Sequence, residues 1–144
     1  MRAARAALAA VAATLAIASG CGSKRVSECN GLIQVVNAGV QSVDRNPKPE
    51  SDPTGVVGLR ALAEAMDRVA GEAATVTITV PEVGKLSADY QAMARAVARS
   101  ARELAAAADA KDIPKVNAAW ASLEKAYNQE DLLVEQLNKV CQAP

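Results

Sequence analysis

Apolar residues recur at alternating steps of three and four in four separate stretches, and this spacing restricts the possible folds more than any other feature. One stretch consists of Leu59, Leu62, Met66, Val69, Ala73 and Val76. Such spacing places its members on one side of an α-helix, whereas a strand would show a period of two. Alanine, the strongest helix former, is abundant throughout. The pattern predicts helices over about 26–45, 56–77, 82–109 and 113–141.

The breaks between these stretches carry helix-ending signals. The first, Asn46 to Gly55, contains three prolines, which a helix interior does not accept. The second surrounds Pro81, where Thr79 and Glu82 have the spacing of a capping box. The third places Asp112 as an N-cap before a helix with proline in its first turn.

The connections are short, and short connections make neighbouring helices antiparallel. Thr75 to Val80 is rich in β-branched residues, but a lone strand would have no pairing partner, so we interpret it as a helix end and connector. The predicted fold class is all-α, an antiparallel up-down-up-down four-helix bundle.

The amino terminus has the three parts of an export signal. Arg2 and Arg5 precede an uncharged stretch, Ala6 to Ala18, which is too short for a permanent membrane span. The small residues Ser19 and Gly20 then precede Cys21. This arrangement resembles the lipobox of bacterial lipoprotein precursors, and the resemblance covers residues 1–21 alone. An ordinary secretory signal, cleaved at an Ala-x-Ala site, is the alternative interpretation.

The resemblance implies removal of residues 1–20 and a lipid anchor on Cys21. Residues 21–25 would then be a lipidated tether, and residues 26–144 a single bundle domain. The anchor would include a diacylglyceryl thioether and often an N-acyl chain, and two or more chains hold a protein durably on a membrane. In some Gram-negative lipoproteins of the kind that this signal resembles, aspartate after the cysteine marks retention in the inner membrane. Gly22 follows Cys21 here, so the resemblance favours the periplasmic side of the outer membrane. Lys24 and Arg25 either contact anionic headgroups or form part of a soluble tether.

If Cys21 carries the lipid, two cysteines remain, Cys29 and Cys141. Because an exported protein enters an oxidising compartment, we predict a disulfide between them. Up-down-up-down order puts the start of the first helix and the end of the last helix at the same end of the bundle. The disulfide would therefore close the bundle and lie near the membrane. Two separate buried thiols are the alternative.

Composition argues against several functions. Without the signal peptide, the chain has 14 basic and 16 acidic side chains. Nucleic-acid binding requires a clustered excess of basic residues, which this balance does not provide. The chain contains no histidine, so the usual Ser-His and Cys-His nucleophile pairs and the Glu-x-x-His motif of di-iron bundles are absent. We therefore expect no enzyme activity, no metal and no cofactor.

Four residues of the last two helices are candidates for a pocket or for core packing. They are Tyr90, Trp120, Tyr127 and Glu130. Glu130 interrupts an otherwise apolar series, so it either binds a ligand or proton or meets Arg95 or Arg99 at the helix edge. The aromatic residues line a cavity in one interpretation and fill the core among alanines in the other.

Arg95, Arg99 and Arg102 form a basic stripe on the third helix, which either receives an acidic partner or pairs with acidic residues of the fourth helix. Two functions fit the sequence. The first is a membrane-anchored, non-enzymatic structural or protein-interaction module with an unknown partner in the cell envelope. The alternative is a bundle that binds a small apolar ligand between its helices.

Overall fold

The computed structural model describes residues 20–43, 52 and 54–142. These residues form four α-helices: α1 (Gly20–Val43), α2 (Val56–Thr75), α3 (Pro81–Asp109) and α4 (Ile113–Gln142). No strand occurs in these residues, which confirms the all-α prediction and the interpretation of 76–80 as a connector. The export signal at 1–19 and most of the proline-rich break lie outside the described residues.

Contacts between helix ends confirm the antiparallel order. Arg60, near the start of α2, forms an ion pair with Asp109 at the end of α3. The Ser87 hydroxyl, near the start of α3, donates a hydrogen bond to the Ala73 carbonyl at the end of α2 (3.4 Å). Cys29 and Cys141 join the start of α1 to the end of α4. We call this the disulfide end, and the opposite end, where α2 and α4 begin, the far end.

Helix α3 is the centre of the bundle, because it packs along both α2 and α4. Its inner residues are mostly alanine and valine, and Ala94, Val97, Ala98 and Ala101 are fully buried. Small side chains let the backbones of neighbouring helices approach closely. The core around α3 is therefore filled mainly by small aliphatic side chains rather than by large aromatic ones.

Helix α1 covers only part of this three-helix unit. It packs mainly on α2, with Gly31 beside Val76 and Gly39 beside Val69. In this register Val43, the last residue of α1, lies level with the middle of α2. The far-end half of α4 therefore has no α1 alongside it.

The starts of α1 and α3 differ from their predictions, and those of α2 and α4 agree. The backbone N–H of Lys115 donates to Asp112 Oδ1 (3.2 Å), as expected for an N-cap. The capping box around Pro81 was wrong, because α3 begins at Pro81 without a side-chain capping bond and Thr79 has a different partner. Helix α1 begins at Gly20. Residues 21–25, expected as a tether, are therefore helical, since no proline or β-branched residue interrupts them.

Candidate functional site

A disulfide between Cys29 and Cys141 joins the first and last helices. The two Cα atoms are 5.8 Å apart, and 112 positions separate the cysteines in sequence. Cys29 is fully buried and Cys141 half-buried. The predicted pairing is confirmed, and it connects α1 to the helix with which α1 otherwise shares little surface.

A buried carboxylate beside the disulfide was not foreseen from the sequence. Glu28 accepts hydrogen bonds from the backbone N–H of Thr79 (3.0 Å), from the Thr79 hydroxyl (2.8 Å) and from the backbone N–H of Val80 (2.9 Å). Its side chain thereby connects α1 to the α2–α3 connector. The sequence signal was a single acidic residue next to a cysteine, and its partners lie about fifty residues away.

The pKa of the Glu28 carboxyl reflects opposing effects. Burial alone would raise it, but the hydrogen bonds from Val80 and Thr79, together with the nearby charge of Lys24, lower the pKa from its usual value of 4.5. The ionised form is therefore the one that the fold stabilises.

Tyr90 lies in the core rather than in a ligand pocket. It is 4% exposed, and the cavity that it borders with Leu32, Val36 and residues of α4 has a volume of about 10 Å³. That volume is at the lower limit for a single water molecule. Met66 and Met93 are also buried in the packed interior.

Glu130 and Tyr127 are half-buried, and Glu130 is close enough to Tyr90 and Tyr127 for its charge to act on both. Burial raises the pKa of the Glu130 carboxyl, and the charge of Asp131 raises it further. Burial and then the charge of Glu130 raise the pKa of Tyr90 to about 12, and the same two causes raise the pKa of Tyr127. Among the ion pairs of the described residues, none connects Glu130 to Arg95 or Arg99.

Trp120 does not lie in the core, where one of the two interpretations of the sequence placed it. Its side chain is 59% exposed, and Ile113, one heptad earlier, is 64% exposed. On the same side of α4, at steps of seven, follow Tyr127, Val134 and Cys141.

The end of α1 explains this exposure. Cys141 is bonded to α1, and Val134 borders the small cavity with Leu32 and Val36 of α1. Trp120 and Ile113 continue the same side of α4 beyond the level at which α1 ends. The sequence pattern is uniform along α4, but the helix that would cover it is shorter.

The basic stripe of α3 does not pair with α4. Arg102 forms an ion pair with Asp67 of α2. Arg95 donates a hydrogen bond to Gln91 within α3 (3.4 Å). The acidic residues proposed as partners on α4 include Glu135, which pairs instead with Lys139 one turn away (2.6 Å).

The described part of the chain contains neither a metal-binding cluster nor a membrane-spanning helix. No three acidic or cysteine side chains there lie close enough together to hold a metal ion. None of the four helices combines the length and apolar character that crossing a bilayer requires.

Comparison with known proteins finds no family model that matches the chain, no similar curated protein and no similar solved structure.

Proposed function

We propose that this protein is a lipid-anchored, non-enzymatic protein-interaction module of the bacterial cell envelope. The observation that carries the proposal is the exposed apolar surface at the far end of the bundle. On α4, Ile113 is 64% exposed and Trp120, seven positions later on the same side of the helix, is 59% exposed. Tryptophan is enriched among the residues that dominate the binding energy of protein interfaces.

The proposed anchor gives this surface a direction. Cys21 precedes Cys29 by eight positions in α1, which corresponds to about 12 Å along a helix axis. A lipid on Cys21 would therefore keep the disulfide end close to the membrane. Trp120 lies about 32 Å further along α4 from Cys141, so it would face away from the membrane, toward a partner in the envelope.

The packed interior supports a binding surface rather than an internal ligand site. The cavity beside Tyr90 is too small for an organic molecule, and Trp120 is not part of its lining. An apolar-ligand site normally encloses several hundred cubic ångströms. No observation on the described residues therefore favours the alternative of a ligand-binding bundle.

The experiment replaces Trp120 by a photo-crosslinking amino acid in the full-length protein, in intact cells that produce it naturally. We expect an adduct with one envelope protein, and no such adduct from the same amino acid at Ala74, an exposed position of α2. In the same cells, a Cys21→Ser variant should move from the membrane fraction to the soluble fraction.

These two outcomes separate the parts of the proposal. Membrane retention of the Cys21→Ser variant would disprove the anchor without affecting the interaction surface. Equal crosslinking from Trp120 and Ala74 would disprove the interaction surface whatever the location of the protein.

A further inference from the structure

A groove runs between α3 and α4 on the flank of α4 that faces away from α1. Three adjoining hollows of about 440, 290 and 400 Å³ compose it. The first two share Glu103 and Ser122, and the last two share Gln129, so the hollows form one continuous surface. We call it the α3–α4 groove.

Both walls of this groove carry a second helical repeat, distinct from the buried apolar series. The α3 wall includes Ala92, Ala96, Arg99, Glu103 and Ala106. The α4 wall includes Ala118, Ser122, Lys125, Gln129 and Leu132. Each row advances by alternating steps of three and four, which is the spacing that receives another helix lying along the groove.

The size of the side chains and the length of the groove fit a helix. Alanine and serine on both walls let a third backbone approach closely. From Lys85 to Ala110 on α3 the groove extends about 38 Å, at about 1.5 Å per residue. A helix of about 25 residues would occupy its full length.

The charges on the walls indicate the chemistry of the occupant. Four cations line the groove, Lys85, Arg99, Lys115 and Lys125, against two acidic residues, Asp89 and Glu103. The two cations nearest the ends already have acidic neighbours, since Lys85 pairs with Asp89 and Lys115 with Asp112.

Arg99 and Lys125 lie on opposite walls in the middle of the groove and take part in none of the ion pairs of the described residues. Glu103 lies in the same hollow, so the middle of the groove keeps an excess of one positive charge, and a second copy of this chain would bring the same excess to the interface. Like charges at an interface oppose association, so this groove is better suited to an acidic partner than to self-association.

We propose that the α3–α4 groove binds an amphipathic helix of another protein, whose acidic side chains lie opposite Arg99 and Lys125. The inference rests on the proposed interaction function and names the chemistry of a partner. It concerns the flank of α4 opposite to Trp120, and it does not depend on the lipid anchor.

The test places a photo-crosslinking amino acid at Ala118, on the wall of the groove, in the full-length protein in intact cells. Ala74 again serves as the exposed control position. We expect an adduct whose crosslinked peptide belongs to an amphipathic helix of another protein, with aspartate or glutamate within reach of Arg99 and Lys125. Adducts with lipid or with a second copy of the chain, or no adduct above the Ala74 level, would overturn the proposal.

Charge reversal then tests the electrostatic part. Arg99→Glu and Lys125→Glu should each lower the adduct yield about tenfold, because each leaves an acidic group of the partner opposite a like charge. Arg68→Glu makes the same change on an exposed part of α2 and should have no effect. Replacing the acidic residues of the partner by lysine should restore the yield with the Glu variants; failure to restore it would also count against the proposal.

The result at Trp120 distinguishes the two proposals. Protein adducts from Trp120 without adducts from Ala118 would reject the groove and leave the proposed function standing. Absence of adducts from both positions would reject both. Thermal melts followed by circular dichroism confirm that each variant is folded.

Discussion

At the residue scale, the two glutamates Glu28 and Glu130 show how position on a helix decides the role of a carboxylate. Glu28 is on the side of α1 that meets the α2–α3 connector, where three donors surround it. Glu130 lies half-buried among tyrosines, close to the charge of Asp131. The fold therefore stabilises the ionised form of Glu28 and the neutral form of Glu130.

We predict that Glu28→Gln lowers the melting temperature at neutral pH, because an amide has one acceptor oxygen for the donors of Thr79 and Val80. The pKa of Glu28 is lowered in the folded state. Its stabilising contribution is therefore complete above the usual value of 4.5 and is lost as the pH falls through the folded pKa. The melting temperatures of the wild type and of Glu28→Gln, measured from neutral to acidic pH, should therefore converge once the pH is below the folded pKa of Glu28.

Glu130→Gln provides a control with the opposite sign. The pKa of Glu130 is raised in the folded state, so its ionisation at neutral pH weakens the fold. This variant should melt above the wild type at neutral pH, and the difference should vanish as the pH falls below the usual pKa of 4.5. A constant difference at all pH values in either variant would show that charge is not the cause.

At the element scale, two helical glycines have different surroundings. At Gly39 of α1 an added Cβ would lie 2.8 Å from Val69 Cγ2, which is too close for carbon atoms, and valine is stiff at χ1. At Gly71 of α2 an added Cβ would meet nothing within 4 Å. The first glycine lets α1 approach α2, whereas the second serves no packing purpose.

We predict that Gly71→Ala stabilises the protein by about 1 kcal/mol, the difference in helix propensity. Gly39→Ala gains the same propensity, but overpacking against Val69 costs about 1–3 kcal/mol. The expected net effect is destabilisation. Urea denaturation of both variants measures the two free energies of unfolding, and equal stabilisation in both would contradict the close α1–α2 contact.

At the scale of the whole molecule, the bundle consists of a three-helix unit and a fourth helix that is held differently. Helices α2, α3 and α4 share long apolar interfaces through α3, whereas α1 has extensive contact with α2 alone. The disulfide and the hydrogen bonds of Glu28 both bind α1 at the disulfide end. We therefore expect α1 to be the element with the lowest local stability once the disulfide is removed.

A Cys29→Ser, Cys141→Ser variant tests this expectation. Removal of a crosslink spanning 112 positions should lower the free energy of unfolding by about 4–5 kcal/mol in the chain-entropy model. Hydrogen exchange should show a larger loss of protection in α1 than in α3. An equal loss in all four helices would mean that α1 and the three-helix unit unfold together.

The local pattern of residues determined most of the architecture. Apolar spacing identified all four helices, the prolines and Asp112 marked their separations, and the positions of Cys29 and Cys141 agreed with antiparallel order. These features depend on residues a few positions apart, or on chain order, and such information is present in one sequence.

Tertiary structure alone decided the surfaces that we propose for function. Trp120 has the spacing of a buried residue, but it is exposed because α1 covers that side of α4 near Val134 and Cys141 and ends before the level of Trp120. The hydrogen-bond partners of Glu28 lie about fifty residues away in sequence. The α3–α4 groove exists because the outer rows of side chains on α3 and α4 lie next to each other in the packed bundle. Periodicity tells which side of a helix is apolar, but only the packed bundle determines how far along that side a neighbouring helix extends.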